Sequence, residues 1–551
     1  MFHDLGLAYW LTGDEKYAAA YTTMLSDWID NIKMPDIKKY QDEKAWYVIQ
    51  PWSLLNTGIR PKIWFESMEY FIDAPSFNAD LLVRVLYSFI QHGKMLREVS
   101  SVAFPRADHN WYLMLMEGLF YVGTMLPELK TSHSDINQAM NELNRCMRTQ
   151  VLEDGVHIEE TPGYHNGAIG WFGAPLLLAK RNNMQFDSVY INKMEKMFNF
   201  SSHITRPNHT VAPFGDSRPD TGGDWIFAFG SLIFGRKITA QEGRIYGPAF
   251  WFTNGALADS PDQNKNPVVK TDFPLNAYFP KGGFYCMRSS WDDNALYLAF
   301  RNGKAWFDTL RMAGHKHADH LSFDMSAYGG PLIVEPGVFL YTDDSLRKYN
   351  KSTSARNTIV IDDKTTMGYL NGWEWSSDPD VNTTVLKDTE DKLTIRGWHN
   401  GYKPVDCFRT VSFVGKRFWV IEDSMTHLKS NNITLSYHFT TPDVELIEKP
   451  FNRAATKVSK DYASVVVVQL KGDAKAILAE SWHAESYGFK TNHKVLRLTK
   501  NNTDNQFVSV SLIIPFPASE KQDFNLFLNK KKNQVEIKIN GQFPYHSTIR
   551  F

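Results

Sequence analysis

"GALADSPDQNKNPVVKTDFPLNA", residues 255–277, is the stretch on which the fold turns. It is rich in Pro, Gly, Asp and Asn, shows no apolar period, and reads as a linker. On its N-terminal side apolar residues recur at helical spacing, as in Ala18, Tyr21, Leu25, Trp28, Ile29 and Ile32, with Gly13 and Asp14 before them as stop and start signals. "DLLVRVLYSFIQHGKML" (80–96), "NWYLMLMEGLFYVGTML" (110–126) and "WFGAPLLLAKRNN" (171–183) continue the pattern, joined by short polar or Pro-containing loops with no fixed repeat length. On its C-terminal side the period changes to two: "SVVVVQLKG" (464–472), "FVSVSLII" (507–514) and "QVEIKING" (534–541) alternate or run apolar and are rich in β-branched residues. The expected organisation is a helical domain over 1–255, a linker over 256–277, and an antiparallel β domain over 278–551 that includes a small C-terminal β subdomain. A large cleft is expected where the two domains meet.

At 551 residues, with 43% hydrophobic residues and a formal net charge of -1, the chain has material for more than one core. That charge argues against disorder and against an electrostatic grip on nucleic acid, so a bound anion must be held by a local cluster. Aromatic residues make up 14%, a surplus that serves cores and equally suits a cleft where flat rings stack on sugars. The three cysteines, Cys146, Cys286 and Cys407, have neither disulfide-framework nor metal-ligand spacing. No apolar run is long enough to span a bilayer, and the first residues carry no signal pattern. Because the chain begins within a helical pattern, a leader and some N-terminal structure are expected to precede it.

Four clusters carry chemistry. Arg106, His109 and Asn110 precede a helix beginning near Trp111, where free N–H groups and the positive end of the dipole favour an anion; Asn110 or Asp108 could equally be a simple cap. Tyr164 and His165 follow a Pro-Gly pair read as a break before the next helix, so Tyr164 could face the same cleft as Asn110 or be a packing residue. His315, His317 and His320 open the β half; on a strand His315 and His317 would share a face, a metal-ligand spacing that surface histidines also show. Arg347 and Arg356, in and before "STSARNT", could grip a carboxylate or sulfate bidentately, or belong to an ordinary hairpin approach.

Taken together, these segments resemble a known family. "GFYCMRSSWDDNALYLAFRNG" (283–303), "GHKHADHLSFDMSAYGGPLIVEPGVFLY" (314–341) and "STSARNTIVID" (352–362) look like the β-domain motifs of heparinase II/III-like polysaccharide lyases. "DHNWYLMLMEGL" (108–119), "EDGVHIEETPGYHNGAIGWF" (153–172) and "PFGDS" (213–217) look like the matching helical-domain segments, in the right order. The resemblance implies an incomplete (α/α) toroid followed by an antiparallel β-sandwich, in a periplasmic or secreted enzyme. Its substrate would be a 4-linked uronate-containing polysaccharide, cut by β-elimination. A glycosaminoglycan such as heparan sulfate, chondroitin sulfate or hyaluronan is expected, with alginate or ulvan as alternatives.

That chemistry needs donors that neutralise the uronate carboxylate as charge develops on it, a base for the C5 proton and an acid for the departing O4. Asn110 and His109 suit the first task. Tyr164 matches the family's acid/base tyrosine and would serve both proton steps when proton and leaving group share a face, provided cations lower its pKa from about 10. His109 is the candidate base for the opposite-face case, and His315 would reach in from the β side. Arg60, Arg106, His165, Tyr341 and Arg347 are the expected substrate contacts.

The chain departs from the family in two places. Relatives often read Asn-His where this chain reads His109-Asn110, which leaves the division of roles open. Many relatives also hold a structural zinc at positions filled here by His317, Glu335 and Arg356, and arginine has no lone pair for a metal. The zinc is therefore expected to be absent, no cofactor is expected, and Arg356 is expected to pair with Glu335. The rival readings are a glycoside hydrolase using Glu159, Glu160 or Asp216, and a non-catalytic glycan-binding protein.

Overall fold

The structure is a computed structural model that describes residues 1–38, 51–103, 108–241, 273–307, 313–342, 344–448, 451–529, 534–540 and 544–550. Arg106 and most of the 256–277 linker lie outside the described residues.

The first half is helical: α1 (Phe2–Thr12), α2 (Glu15–Asn31), α3 (Leu54–Met68), α4 (Ala79–Ala103), α5 (Asn110–Met125), α6 (Ser132–Gln150), α7 (Pro162–Arg181), α8 (Ser188–Ile204) and α9 (Asp224–Phe234). Gly13 ends α1 in the left-handed conformation at φ 66°, and the Asp14 side chain accepts from Lys16 N to start α2. These helices pack as an incomplete (α/α) toroid with α5 at its centre: nearly every residue of α5 from Tyr112 to Thr124 is buried. A Cβ on Gly118 would lie 2.4 Å from the Gly58 carbonyl oxygen, so α3 and α5 approach at backbone distance. That contact fixes where the N-terminus of α5 opens.

Pro162 and Gly163 do not interrupt the chain as the sequence suggested. Thr161 caps α7 and Pro162 is its first residue, a position that needs no N–H, so Tyr164 and His165 lie in the first turn of the helix.

The second half is a sandwich of antiparallel sheets. One layer contains the meander β1 (Ala277–Phe279), β2 (Phe284–Arg288), β3 (Tyr297–Arg301), β4 (Ser322–Ala327) and β5 (Gly330–Ile333). It continues, through an isolated bridge of Ile333 with Phe439, into a four-stranded sheet ordered Lys475–Ser486, Phe489–Asn502, Asn431–His438, Ile359–Ile361. The other layer is an eight-stranded sheet drawn from residues 381–516. "SVVVV" is continuously apolar because this strand is covered on both faces. Val465 and Val467 point into the sandwich, whereas Val466 and Val468 meet Val535, Ile537 and Ile539 of a separate three-stranded C-terminal sheet.

The same alternation joins the halves. On β2, Tyr285 and Met287 face the sandwich core, and Phe284 and Cys286 pack on Val156, Phe200, Ile204 and Phe214 from the helical half. A helix that the period-two reading missed, α10 (Asp344–Lys351), lies within the β half and carries Arg347.

Candidate active site

A cleft of about 820 Å³ opens between the two halves, lined from the helical side by His109, Asn110, Glu159 and Tyr164 and from the β side by His315, Lys316, Tyr341 and Trp373. His109 is the N-cap of α5: its Nδ1 accepts from Trp111 N at 3.1 Å. In a neutral ring the hydrogen is then on Nε2, so His109 offers a donor. This moves His109 from candidate base to candidate anion-binding group. Asn110, in the first turn and only 4% exposed, donates from Nδ2 to Glu159 Oε2 at 3.4 Å, while its Oδ1 has no hydrogen-bond partner among the described residues.

Tyr164 stacks on the His315 ring at 3.7 Å, and its hydroxyl lies 3.2 Å from that of Tyr341. Burial pushes the Tyr164 phenol up, the opposite of the lowering that the sequence reading required; the bond to Tyr341 and the Arg347 charge pull it back only in part. The phenol is therefore protonated in the free protein. Burial likewise pushes Tyr341 up.

His315 and His317 sit on a loop before β4 rather than on a strand, yet both converge on Asp216. His315 Nδ1 is 2.9 Å from Asp216 Oδ2, and His317 Nε2 is 2.7 Å from Oδ1. Arg347 adds a bidentate pair, Nη1 to Oδ1 at 3.1 Å and Nη2 to Oδ2 at 3.0 Å. Burial alone would raise the Asp216 carboxyl, but Arg347, His315 and His317 hold it well below the usual carboxylate range. With Asp216 ionised, His315 Nδ1 donates, which in a neutral ring leaves Nε2 as an acceptor.

Three expected substrate contacts are used inside the protein instead. His165 is fully buried, accepting from His157 N on Nδ1 and bonding Met197 O through Nε2 at 3.0 Å. Arg60 lies 4.2 Å over Trp28, donates to Pro51 O at 2.7 Å and does not line the cleft. Arg347 is 1% exposed and held by Asp216 and Gly372 O. Each was a polar residue near a motif, and sequence spacing does not show whether such a group meets substrate or backbone. Tyr341 does line the cleft, whereas Arg106 lies outside the described residues.

Sequence reading named Trp111 but missed the other two tryptophans that line the cleft, Trp306 (46% exposed) and Trp373 (41% exposed), the latter stacked 5.3 Å from Tyr341. The aromatic surplus was their only signal. Lys316 and Glu160 form a buried floor with Arg301: Arg301 Nη2 donates to Glu160 Oε2 at 2.7 Å, and Lys316 Nζ lies 3.6 Å from the same oxygen. Burial pushes the Glu160 carboxyl up to about 7 against those two cations.

Known families match both halves of this architecture. Heparinase II/III N-terminus matches residues 1–231, and Heparinase II/III-like, C-terminal matches residues 274–530. The chain belongs to the heparinase II/III family. Among similar proteins of known activity, a heparin-sulfate lyase of Bacteroides stercoris is 23% identical over 573 residues, covering 98% of this chain and 79% of that one. A heparin-sulfate lyase of Pedobacter heparinus is 25% identical over 554 residues, covering 97% and 76%. A solved heparinase III superposes with a TM-score of 0.73 at 21% identity, covering 100% of this chain and 83% of its own. These likenesses in structure concern the fold, the toroid followed by the sandwich.

The positions where the sequence resemblance implies a structural zinc in relatives hold a different arrangement here. Arg356 Nη1 donates to Glu335 Oε2 at 2.6 Å and its Nη2 bonds His317 Nδ1, so a guanidinium lies between the two groups that could ligate a metal. These residues do not fit zinc, because the cation in their midst offers no lone pair. Among the described residues no group of three or more His, Cys, Asp or Glu is arranged to hold a metal ion. No helix among them is long and apolar enough to cross a membrane.

Proposed function

We propose that the protein is a polysaccharide lyase that cleaves 4-linked uronate-containing glycosaminoglycans by β-elimination, with heparan sulfate as the first substrate to try. The observation that carries this reading is the meeting, in one interdomain cleft, of a helix N-terminus bearing His109 and Asn110 with the stacked Tyr164 and His315. The names of the heparin-sulfate lyases it resembles support the substrate class, and a secreted or periplasmic setting is proposed with it.

In this reading the uronate carboxylate lies against the Asn110 amide and His109 Nε2–H, whose donors stabilise the second negative charge that develops there. A base removes the C5 proton, the C5–H electrons form the C4=C5 bond, and the C4–O4 bond breaks as O4 takes a proton. Tyr164 is the acid for O4 because its phenol is protonated. His315 Nε2 takes the C5 proton when it lies on the face opposite O4. When both lie on one face, Tyr164 serves both steps: its phenol first loses its hydrogen to solvent, the phenolate takes the C5 proton, and the phenol so formed gives that proton to O4. Trp306 and Trp373 give the sugar rings apolar faces to stack on.

Of the three carboxylates of the hydrolase reading, Glu159 lines the cleft and the other two are tied up. Asp216 is fully engaged by two histidines and Arg347, and Glu160 is buried with Arg301. Incubation with heparan sulfate, chondroitin sulfate, hyaluronan, alginate and ulvan separates the readings. Ultraviolet absorbance from a 4,5-unsaturated uronate is expected with at least one glycosaminoglycan. New reducing ends without that absorbance would identify a hydrolase, and binding without either a glycan-binding protein.

A further inference from the structure

We propose that Arg356 takes the place of a structural metal ion and, through His317 and Asp216, fixes His315 with its hydrogen on Nδ1 and its Nε2 unprotonated. The direction of the bonds in this relay is set from both ends, because Arg356 can only donate and the ionised Asp216 can only accept. Because the Arg356 guanidinium bonds His317 Nδ1, that nitrogen accepts, and in a neutral ring the hydrogen must be on Nε2. Nε2 then donates to Asp216 Oδ1 at 2.7 Å. Asp216 also receives both Arg347 donors and is left with one partner, His315 Nδ1 at 2.9 Å, which can only be a third source of hydrogen.

A metal on His317 Nδ1 would impose the same polarity, since a metal-bound histidine gives its other N–H to a carboxylate. Arg356 reproduces that direction with a group that a chelator cannot remove. Its charge is balanced by Glu335, which the Ser322 hydroxyl also holds, and the whole relay is buried: Arg356, His317 and Glu335 are each 0% exposed. Arg356, His317 and Asp216 are thus positioning residues for His315, which alone among them lines the cleft.

The proposal rests on the lyase reading only for the use made of the His315 lone pair, and its first test is independent of turnover. In protein labelled with ¹⁵N in its histidine rings, the His315 signals, identified by their loss in His315→Gln, are expected to show a protonated Nδ1 and an unprotonated Nε2 at neutral pH. The reverse tautomer would overturn the relay.

The second test replaces Arg356→Met together with Glu335→Gln, so that neither charge is stranded in the interior. Mixed His315 tautomers and a kcat lower by about 10- to 100-fold at a KM within about threefold are expected. A lower melting temperature with unchanged His315 signals and kcat would mean that Arg356 only supports the fold, and would overturn the proposal. Should the pair fail to fold, Arg356→His carries the test: it is expected to take up one zinc by elemental analysis, to lose turnover to a chelator and to recover it with added zinc. Wild-type protein that carries zinc and loses turnover to the same chelator would also overturn it. Absence of unsaturated product from the wild type on every polysaccharide would defeat the lyase reading and leave the tautomer result standing.

Discussion

Tyr164 keeps its hydrogen because burial disfavours a phenolate, and the nearest partner of its hydroxyl is another phenol, Tyr341, at 3.2 Å. Arg347 is close enough to matter but spends its donors on Asp216 and Gly372 O. In the proposed mechanism the acid is therefore ready before substrate arrives, and proton transfer to O4 is the step that Tyr164→Phe would remove. With heparan sulfate, or whichever polysaccharide gives unsaturated product, we expect kcat to fall by about 10²- to 10⁴-fold with KM changed less than threefold. Retained turnover would take Tyr164 out of the mechanism. That Tyr164, His109, Asn110 and His315 meet at one cleft could be read from the sequence because each sits in a contiguous motif, although the motif holding His315 was read as a strand and is a loop. The surroundings of His165, Arg60 and Arg347 could not be read, because their partners, Met197 O, Trp28 and Asp216, come from elements distant in sequence.

Among the strands, the four-stranded sheet carries a chain of imidazoles whose thermodynamic effect depends on their burial. His438 Nδ1 lies 3.1 Å from His493 Nε2, and His493 Nδ1 lies 3.1 Å from His483 Nδ1. Burial holds His438 down to about 3 and His483 down to about 4, and lowers His493 as well. In the unfolded chain each titrates near 6.5. Between about pH 6.5 and 4 the unfolded state binds more protons than the folded one, so stability is complete above this window and is lost as pH falls through it. Each such histidine adds up to about 1.4 kcal/mol per pH unit. The melting temperature is expected to drop steadily from pH 6.5 to 4, and to drop less steeply in His493→Gln; a flat profile, or equal slopes, would contradict the assignment. At this scale the sequence revealed strands such as "SVVVV" by their apolar, β-branched run, but not that this one is covered on both faces. It concealed α10, whose eight residues, Asp344–Lys351, are too few and too polar to show a helical apolar period.

At the scale of the whole molecule, the change of period around 255–277 announced two halves, and most of the site lies where they meet. What the sequence could not announce is how the halves are bound, because ion pairs between residues more than a hundred positions apart leave no local pattern. Among the described residues, buried arginine–carboxylate links cross the junction at three places: Arg206 to Asp324, Glu160 to Arg301, and Asp216 to Arg347 with its two histidines. The first is the farthest from the cleft chemistry, and its bidentate geometry, 2.7 and 2.6 Å, leaves both side chains buried. Arg206→Met would strand the Asp324 carboxylate between the outer face of the five-stranded sheet and the end of α8, at a cost of about 3–5 kcal/mol. Arg206→Met with Asp324→Leu removes both charges and should recover most of that loss. Because the apolar patch of Phe200, Ile204, Phe214, Phe284 and Cys286 still joins the halves in either variant, calorimetry should show one transition in the wild type and in both variants, with the single mutant melting lowest. Two separate transitions in the wild type would mean that the halves fold independently, and the cleft would then be a hinge rather than a fixed frame for Tyr164, His109 and His315.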